Sequence, residues 1–334
     1  MKEVILILTA KFDAHPNPVI NLMHERNIPF FRLNTEALMT DYDVTWYCDN
    51  ETDEIVFKNL FSGDVLQGSN IKSIWCRRPK HPSELRLKSA QPIIEESNLE
   101  ESQAFYRSMM RYLSDRFSMG NYFYDQYASS KLVQLRLAAK LGMTIPVTCM
   151  TNTKEGVARI AERFPEILLK SFSNGGVQID TETECCFYAT KVNSDEIMRQ
   201  PIDAFVQTVN FCENYVPKAY EVRVTVMGPY IFPCKIDSQN QKEEQGKIDW
   251  RQGYDYGMKY EMIKMPDHID EFCRQYLRAL RLNFGCFDFI VRPDGKYVFL
   301  ECNPNGQWLW IEEELGITSM TEAMLDCLVN CLSV

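Results

Sequence analysis

Apolar positions along the chain change their spacing several times. Residues 4–9 form a short continuous apolar run, which predicts a buried strand. Helical spacing over 18–26 and a second apolar run over 29–33 follow, so the chain is expected to open as a βαβ unit of a parallel sheet. Residues 44–48 and 54–59 alternate around the polar Asp49-Asn50-Glu51 and predict a hairpin. A further strand over 71–76 ends at Arg77-Arg78-Pro79, and a long helical pattern covers about 95–117. A first domain is expected to end near residue 120.

Beyond it, Ser129 or Ser130 can cap a helix that runs to Leu141, with Gly142 suited to the position after its end. Strands then alternate with one helix over 154–163. From Phe205 onward the pattern is mostly strand, until helices over 269–280 and 319–331. There is no internal repeat and no low-complexity tract. Mixed strand and helix of this kind predicts an α/β (α+β) protein with more than one domain.

The segment Phe284–Asn303 carries the clearest chemistry. Asp294-Gly295 between two apolar runs predicts a two-residue hairpin turn. Counting outward from it, Pro293 faces Lys296, Arg292 faces Tyr297, and Asp288 falls opposite Glu301, with Cβ atoms about 4.5–5.5 Å apart. Asn303, two residues further on, shares the face of Glu301. Opposed carboxylates in an apolar ribbon repel each other. A hard divalent cation on oxygen ligands resolves the conflict; so does protonation of one carboxylate, or an arginine partner.

Several cations lie upstream. Ile167-Leu168-Leu169-Lys170 reads as a strand leading into Ser171-Phe172-Ser173-Asn174-Gly175-Gly176, a turn whose backbone N–H groups can approach phosphate oxygens. Lys131 sits in the first turn of its helix, where the helix dipole disfavours a cation unless an anion is near. Glu221 and Arg223 share one strand face; an Arg can clamp phosphate and a Glu can accept from ribose hydroxyls, or the two can form an ordinary ion pair. Lys235 and Arg251 add charge further along.

Composition narrows the classes. The chain has 334 residues and is 45% hydrophobic, enough for two or three cores. Its formal net charge of -10 argues against a general nucleic-acid binder, so any phosphate site is a local concentration of Lys and Arg. The 12 cysteines are scattered without a CxxC pair, which fits reduced, mostly buried thiols. The opening Met1-Lys2-Glu3 and the short apolar run after it predict no export signal, and no stretch is long enough to span a bilayer. A cytoplasmic protein without membrane or nucleic-acid partners is the expectation.

In this order, over roughly Asn121 to Asn305, these elements resemble the ATP-grasp superfamily. The resemblance implies an ATP-grasp fold with an N-terminal βαβ pre-ATP-grasp domain (1–120), a central subdomain with a Gly-rich lid (121–204) and a C-terminal subdomain with the Mg-ATP site (205–334). It implies ATP and Mg²⁺ as cofactors. Lys131 and Lys170 look like the phosphate lysines, and Ser173, Gly175 and Gly176 like the lid. Glu213, Asn214, Tyr215 and Val216 look like the adenine hinge and Glu221 like the ribose acceptor. Asp288, Glu301 and Asn303 look like the metal ligands. Arg223, Lys235 and Arg251 take catalytic roles at the phosphoryl and acyl groups. Family hinges often read Gln-Glu where this chain has Glu213-Asn214, and its lid is short.

Within the superfamily, Trp75-Cys76-Arg77-Arg78-Pro79, Lys235-Ile236-Asp237-Ser238-Gln239, Asp249-Trp250-Arg251 and Asn303-Pro304-Asn305-Gly306-Gln307-Trp308 resemble the maturases of graspetides, the microviridin-type ω-ester and ω-amide peptides. That implies a macrocyclase acting on a ribosomal precursor peptide, leader plus core, and a homodimer. Alternatives are another ATP-grasp ligase, adding an amino acid to a small molecule or protein, and a nucleotide-binding module without catalysis. Arg77 and Arg78 contact peptide or pair with acidic neighbours; the residues favour neither.

Overall fold

The structure, a computed structural model, describes residues 3–172, 176–178, 184–186, 188–241, 243–252 and 257–334. The chain begins with β1 (Val4–Thr9), α1 (Pro16–Glu25), β2 (Phe30–Asn34), α2 (Leu38–Asp41), β3 (Tyr42–Cys48), β4 (Asp53–Asn59), β5 (Val65–Gln67), β6 (Ile71–Cys76), α3 (Pro92–Leu113) and β7 (Ser118–Met119). It continues with α4 (Tyr122–Ala128), α5 (Lys131–Lys140), β8 (Thr148–Thr151), α6 (Lys154–Ala161), β9 (Glu166–Lys170), β10 (Gly176–Gln178), β11 (Glu184–Cys186), β12 (Thr190–Asn193), α7 (Ser194–Met198), α8 (Asp203–Val206) and β13 (Asn210–Asn214). The last part holds β14 (Tyr220–Met227), β15 (Tyr230–Ile236), α9 (Glu244–Ile248), β16 (Tyr260–Met262), α10 (Asp267–Ala279), β17 (Phe284–Val291), β18 (Tyr297–Asn303), α11 (Leu309–Leu315) and α12 (Ser319–Asn330).

The expected βαβ opening is present. β1 pairs in parallel with β2 on one side and β6 on the other, and β7 extends the sheet in the order β2-β1-β6-β7. β3, β4 and β5 form a separate antiparallel sheet. β13 joins β8, β9 and β12 in the order β12-β9-β13-β8, so the central sheet reaches past residue 204 to Asn214.

The sheet β16-β15-β14-β17-β18 is covered on one face by α10. The helix buries Ile269, Phe272, Cys273, Tyr276 and Leu277, at the i, i+3, i+4, i+7, i+8 spacing of a single stripe. Against them stand Val222, Val224, Phe287, Phe289 and Phe299, whose alternation gives the sheet its apolar face. A second core joins Ile5, Ile7 and Trp75 of the parallel sheet to Trp308, Met324 and Leu328, so α11 and α12 tie the two ends of the chain together.

Among the described residues six short helices, α2, α4, α7, α8, α9 and α11, escape the sequence pattern. α4 is aromatic-rich and short, but Asn121 is a proper cap whose side chain accepts from the N–H groups of Phe123 and Tyr124. α11 is also short and ends at Gly316 in the left-handed region. Ser130 is the N-cap residue of α5, without a side-chain cap bond, and Gly142 adopts φ +80° as expected.

The β17–β18 turn differs from the expected two-residue hairpin. Val291, not Arg292, faces Tyr297. Pro293 fixes its own φ and favours the second position of a type I turn. The Gly295 N–H accordingly donates to the Arg292 carbonyl at 2.8 Å, with Gly295 at φ +81°. This longer loop would shift every later pair by one residue. A β-bulge at Leu300 shifts the register back, and Asp288 faces Glu301 after all.

Candidate active site

The bulge decides which way the second carboxylate points. Without it the observed turn would place Glu301 opposite Phe287, on the α10 side. With it, Glu301 and Asn303 join Asp288 on the other face. β14 lies next to β17 with Arg223 opposite Asp288, so Arg223, Asp288 and Glu301 form one row across three strands. The Arg223 Nη1 donates to Asp288 Oδ2 at 2.8 Å. Lys131, from the first turn of α5, bridges Glu301 from the far side. Asn303 Nδ2 donates to Glu301 Oε1 at 2.9 Å.

Each acid thus has its own cation, and the two carboxyls differ. Burial pushes Asp288 up to about 7, with Glu301 and Glu221 adding to the effect and Arg223 opposing it. Burial acts on Glu301 too, but the charges of Lys131 and Lys170, with hydrogen bonds from Lys131 and Asn303, hold it well below the carboxylate range.

Lys170 ends β9, 3.2 Å from Glu213 Oε2. Its burial lowers the ammonium pKa, but Glu213 and Glu301 outweigh that and leave it raised. The structure therefore brings Lys131, Lys170, Glu213, Arg223, Asp288, Glu301 and Asn303 together. Glu221 lies on the Arg223 face, two residues before it, buried and bound by Lys218 and by Ser238 Oγ at 3.1 Å. Lys218, which also donates to the Ile248 carbonyl at 2.9 Å, was not singled out from sequence; a lone lysine in a loop gives no periodic signal. Arg251 clamps Asp249, with Nε to Oδ1 at 2.8 Å and Nη2 to Oδ2 at 2.6 Å. Both Asp288 and Glu301 contribute to raising its pKa, after the Asp249 bond that dominates.

Other expected residues fall elsewhere. Lys235 pairs with Val222, so it starts on the α10 face, and its Nζ lies 4.9 Å over the Tyr220 ring. Strand alternation separates it from Arg223, and this corrects its expected place in the site. In the expected hinge, the Asn214 N–H already donates to the Val147 carbonyl and the Tyr215 N–H to the Glu166 carbonyl. Val216 is buried against Ile290 and Val298. Ser173 and Gly175 of the expected lid lie outside the described residues; Gly176 begins β10, paired with Cys186 of β11. Arg77 is buried and donates to the carbonyls of Asn305 and Gly306, with its Nε 3.4 Å from Asp13. Arg78, at φ +46°, also reaches the Asn305 carbonyl, at 3.2 Å. An open apolar groove of about 660 Å³ between α5 and β8 contains none of the candidate residues.

The donors suit magnesium. Asp288 and Glu301 offer hard oxygens, and half a turn of the Asn303 amide would present a third. Among the described residues no three of His, Cys, Asp and Glu cluster to hold an ion. Mg²⁺ needs only one or two protein carboxylates, since it keeps waters and phosphate oxygens.

Residues 4–125 match the model of the MvdD pre-ATP grasp domain. The chain superimposes on the RiPP-associated ATP-grasp ligase of Chryseobacterium gregarium, solved in complex with ADP and a leader and core peptide. The TM-score is 0.87 at 22% identity, covering 98% of this chain and 97% of that one. The chain has an ATP-grasp fold. This ATP-grasp chain is also similar to the macrocyclase MdnC of Microcystis aeruginosa MRC, bound with precursor peptide MdnA, at TM-score 0.80 and 25% identity over 98% and 99% of the two chains. The ligase PsnB, complexed with a phosphomimetic variant of its minimal precursor, Mg and ADP, matches at TM-score 0.72 and 14% identity over 99% and 98%. No curated protein sequence matches. The pre-ATP-grasp opening and the likeness to graspetide maturases, both expected from the sequence, are borne out. Among the described residues no helix is long and apolar enough to cross a membrane.

Proposed function

We propose that the chain is an ATP-dependent ligase that activates Asp or Glu side chains of a ribosomal precursor peptide and joins them to Thr or Ser hydroxyls or Lys amines of the same peptide. The observation that carries this reading is the row Arg223, Asp288, Glu301, Lys131, with Asn303 beside it, on a face reached by Lys170. Residues 1–120 would form the pre-ATP-grasp domain. The central subdomain would span 121–214, past the 204 expected from the sequence, followed by the C-terminal subdomain. A cytoplasmic homodimer completes the reading.

Mg²⁺ and ATP would supply a phosphoryl group that turns a carboxylate into a good acyl donor. Asp288, Glu301 and Asn303 would hold the ion. Arg223 and Lys131 offset the repulsion between the two acids; with the ion held there, they and Lys170 would serve the phosphate oxygens and neutralise charge as it builds up. Arg251, fixed in orientation by Asp249, would hold an anionic oxygen of the substrate. Glu221, held by Lys218 and Ser238, would offer an acceptor to the ribose hydroxyls. Lys235 has no part in this arrangement.

The test is incubation with Mg²⁺, ATP and candidate precursor peptides rich in Thr and Asp or Glu, read by mass spectrometry and ADP release. Ring closure removes one water per bond formed. A gain in mass instead would mean addition of an amino acid. No ADP release with any peptide would leave a nucleotide-binding module.

A further inference from the structure

β18 is the outer strand of its sheet, and an outer strand exposes a row of unpaired N–H and C=O groups. Here they are bonded by the segment running from α5 into the turn after it. Gln134 accepts from the Cys302 N–H through Oε1 at 3.2 Å and donates to the Cys302 carbonyl through Nε2 at 2.7 Å. Three residues back, the Phe299 N–H donates to the Thr144 carbonyl at 2.9 Å. Leu300, the extra residue of the bulge, lies between these two anchors.

Gln134 is 1% exposed, and its Nε2 also holds the Ala128 carbonyl at 2.7 Å, at the end of α4. Only a side chain with both donor and acceptor can satisfy all three groups, and a carboxamide is the compact form of that pair. Cys302 stands between Glu301 and Asn303. Lys131 is one helical turn before Gln134, on the same face of α5. A single side chain thus fixes the strand that carries the acids and the helix that carries their cation.

We propose that Gln134 is a positioning residue for the metal site: by bonding both backbone groups of Cys302 it holds the bulge in register, keeps Glu301 and Asn303 on the site face, and sets the reach of Lys131. This rests on the magnesium and nucleotide reading above. A slip of one residue along β18 would turn both ligands toward the α10 core.

The test uses the full chain and ADP as probe, titrated calorimetrically over a series of Mg²⁺ concentrations, beside thermal unfolding. Gln134→Met keeps the volume but not the bonds. It is expected to raise the Mg²⁺ concentration for half-maximal ADP binding by about 10- to 100-fold, the usual effect of removing a group that orients metal ligands. ADP affinity without Mg²⁺ should fall by a smaller factor than the Mg²⁺ requirement rises, since only the reach of Lys131, and not the metal ligands, then bears on the phosphates. Gln134→Glu keeps the acceptor but sets a carboxylate against two carbonyls, and should raise the Mg²⁺ requirement as well. Should Gln134→Met not fold, Gln134→Glu decides by the same criterion. A lower unfolding temperature with an unchanged Mg²⁺ requirement overturns the proposal and leaves Gln134 a structural clamp. If the underlying reading is wrong, the wild type itself binds ADP without Mg²⁺ dependence, or not at all.

Discussion

Replacing His15 with Gln tests the polar cluster that backs the site loop. His15 sits against the edge of Trp308, ring centroids 5.1 Å apart, with its Nδ1 3.7 Å from Asp13 and the Arg77 and Arg78 guanidiniums near it. Burial and then Arg77 push its pKa from 6.5 down to about 4, against a smaller opposing effect of Asp13. The folded protein therefore keeps the imidazole neutral where the unfolded chain takes up a proton. This contribution is fully present above pH 6.5 and is lost as pH falls toward 4. At about 1.36 kcal/mol per pH unit, the loss is capped at about 3 kcal/mol. Linkage gives about 1 kcal/mol lost at pH 5.5 and about 2–3 kcal/mol at pH 4.5. The assay is urea unfolding of wild type and His15→Gln at pH 7.5, 5.5 and 4.5, taking the difference so that carboxylates common to both cancel. The variant should gain on the wild type by these amounts as pH falls. A difference that stays flat from pH 7.5 to 4.5 would refute a neutral His15.

Four further outcomes are expected. Asp288→Asn and Glu301→Gln should each cut Mg²⁺-dependent ADP release by roughly a hundredfold or more with far-UV circular dichroism unchanged; wild-type release from either would remove the metal assignment. Lys170→Ala should raise KM for ATP by about tenfold, as expected for a lost buried charge contact to phosphate; an unchanged KM would place Lys170 outside the site. Gly306→Ala should destabilise by about 1–3 kcal/mol in urea unfolding, because a Cβ there would overlap the Cys286 side chain and push away the loop that Arg77 holds. Lys235→Met should keep turnover within about twofold, since Lys235 lies across the sheet from the acids.

Much of the site was legible from alternation alone. The pairing of Asp288 with Glu301, the common face of Glu301 and Asn303, and the common face of Glu221 and Arg223 all follow from a period of two. The pairing of Asp288 with Glu301 nevertheless came from a register wrong near the turn. Pro293 lengthened the loop by one residue, and the bulge at Leu300 removed the difference. Lys235 shows the limit from the other side: its distance in sequence from Arg223 says nothing about the face it takes until the β14–β15 register is known. Lys218 and Gln134 gave no signal at all, because Lys218 sits in an irregular loop and Gln134 acts on a strand distant in the chain.

Local pattern was enough for several elements and their chemistry: the βαβ opening, the apolar stripe of α10, the acidic ribbon and the cations before it. These depend on periodicity and turn residues within a few positions of each other. Packing of the whole chain settles which strands lie side by side, that Arg223 and Lys131 flank the two acids, and that α5 closes the open edge of β18. Those contacts join residues 65 to 170 positions apart. They are set by how sheet faces and edges pack, which no local pattern encodes.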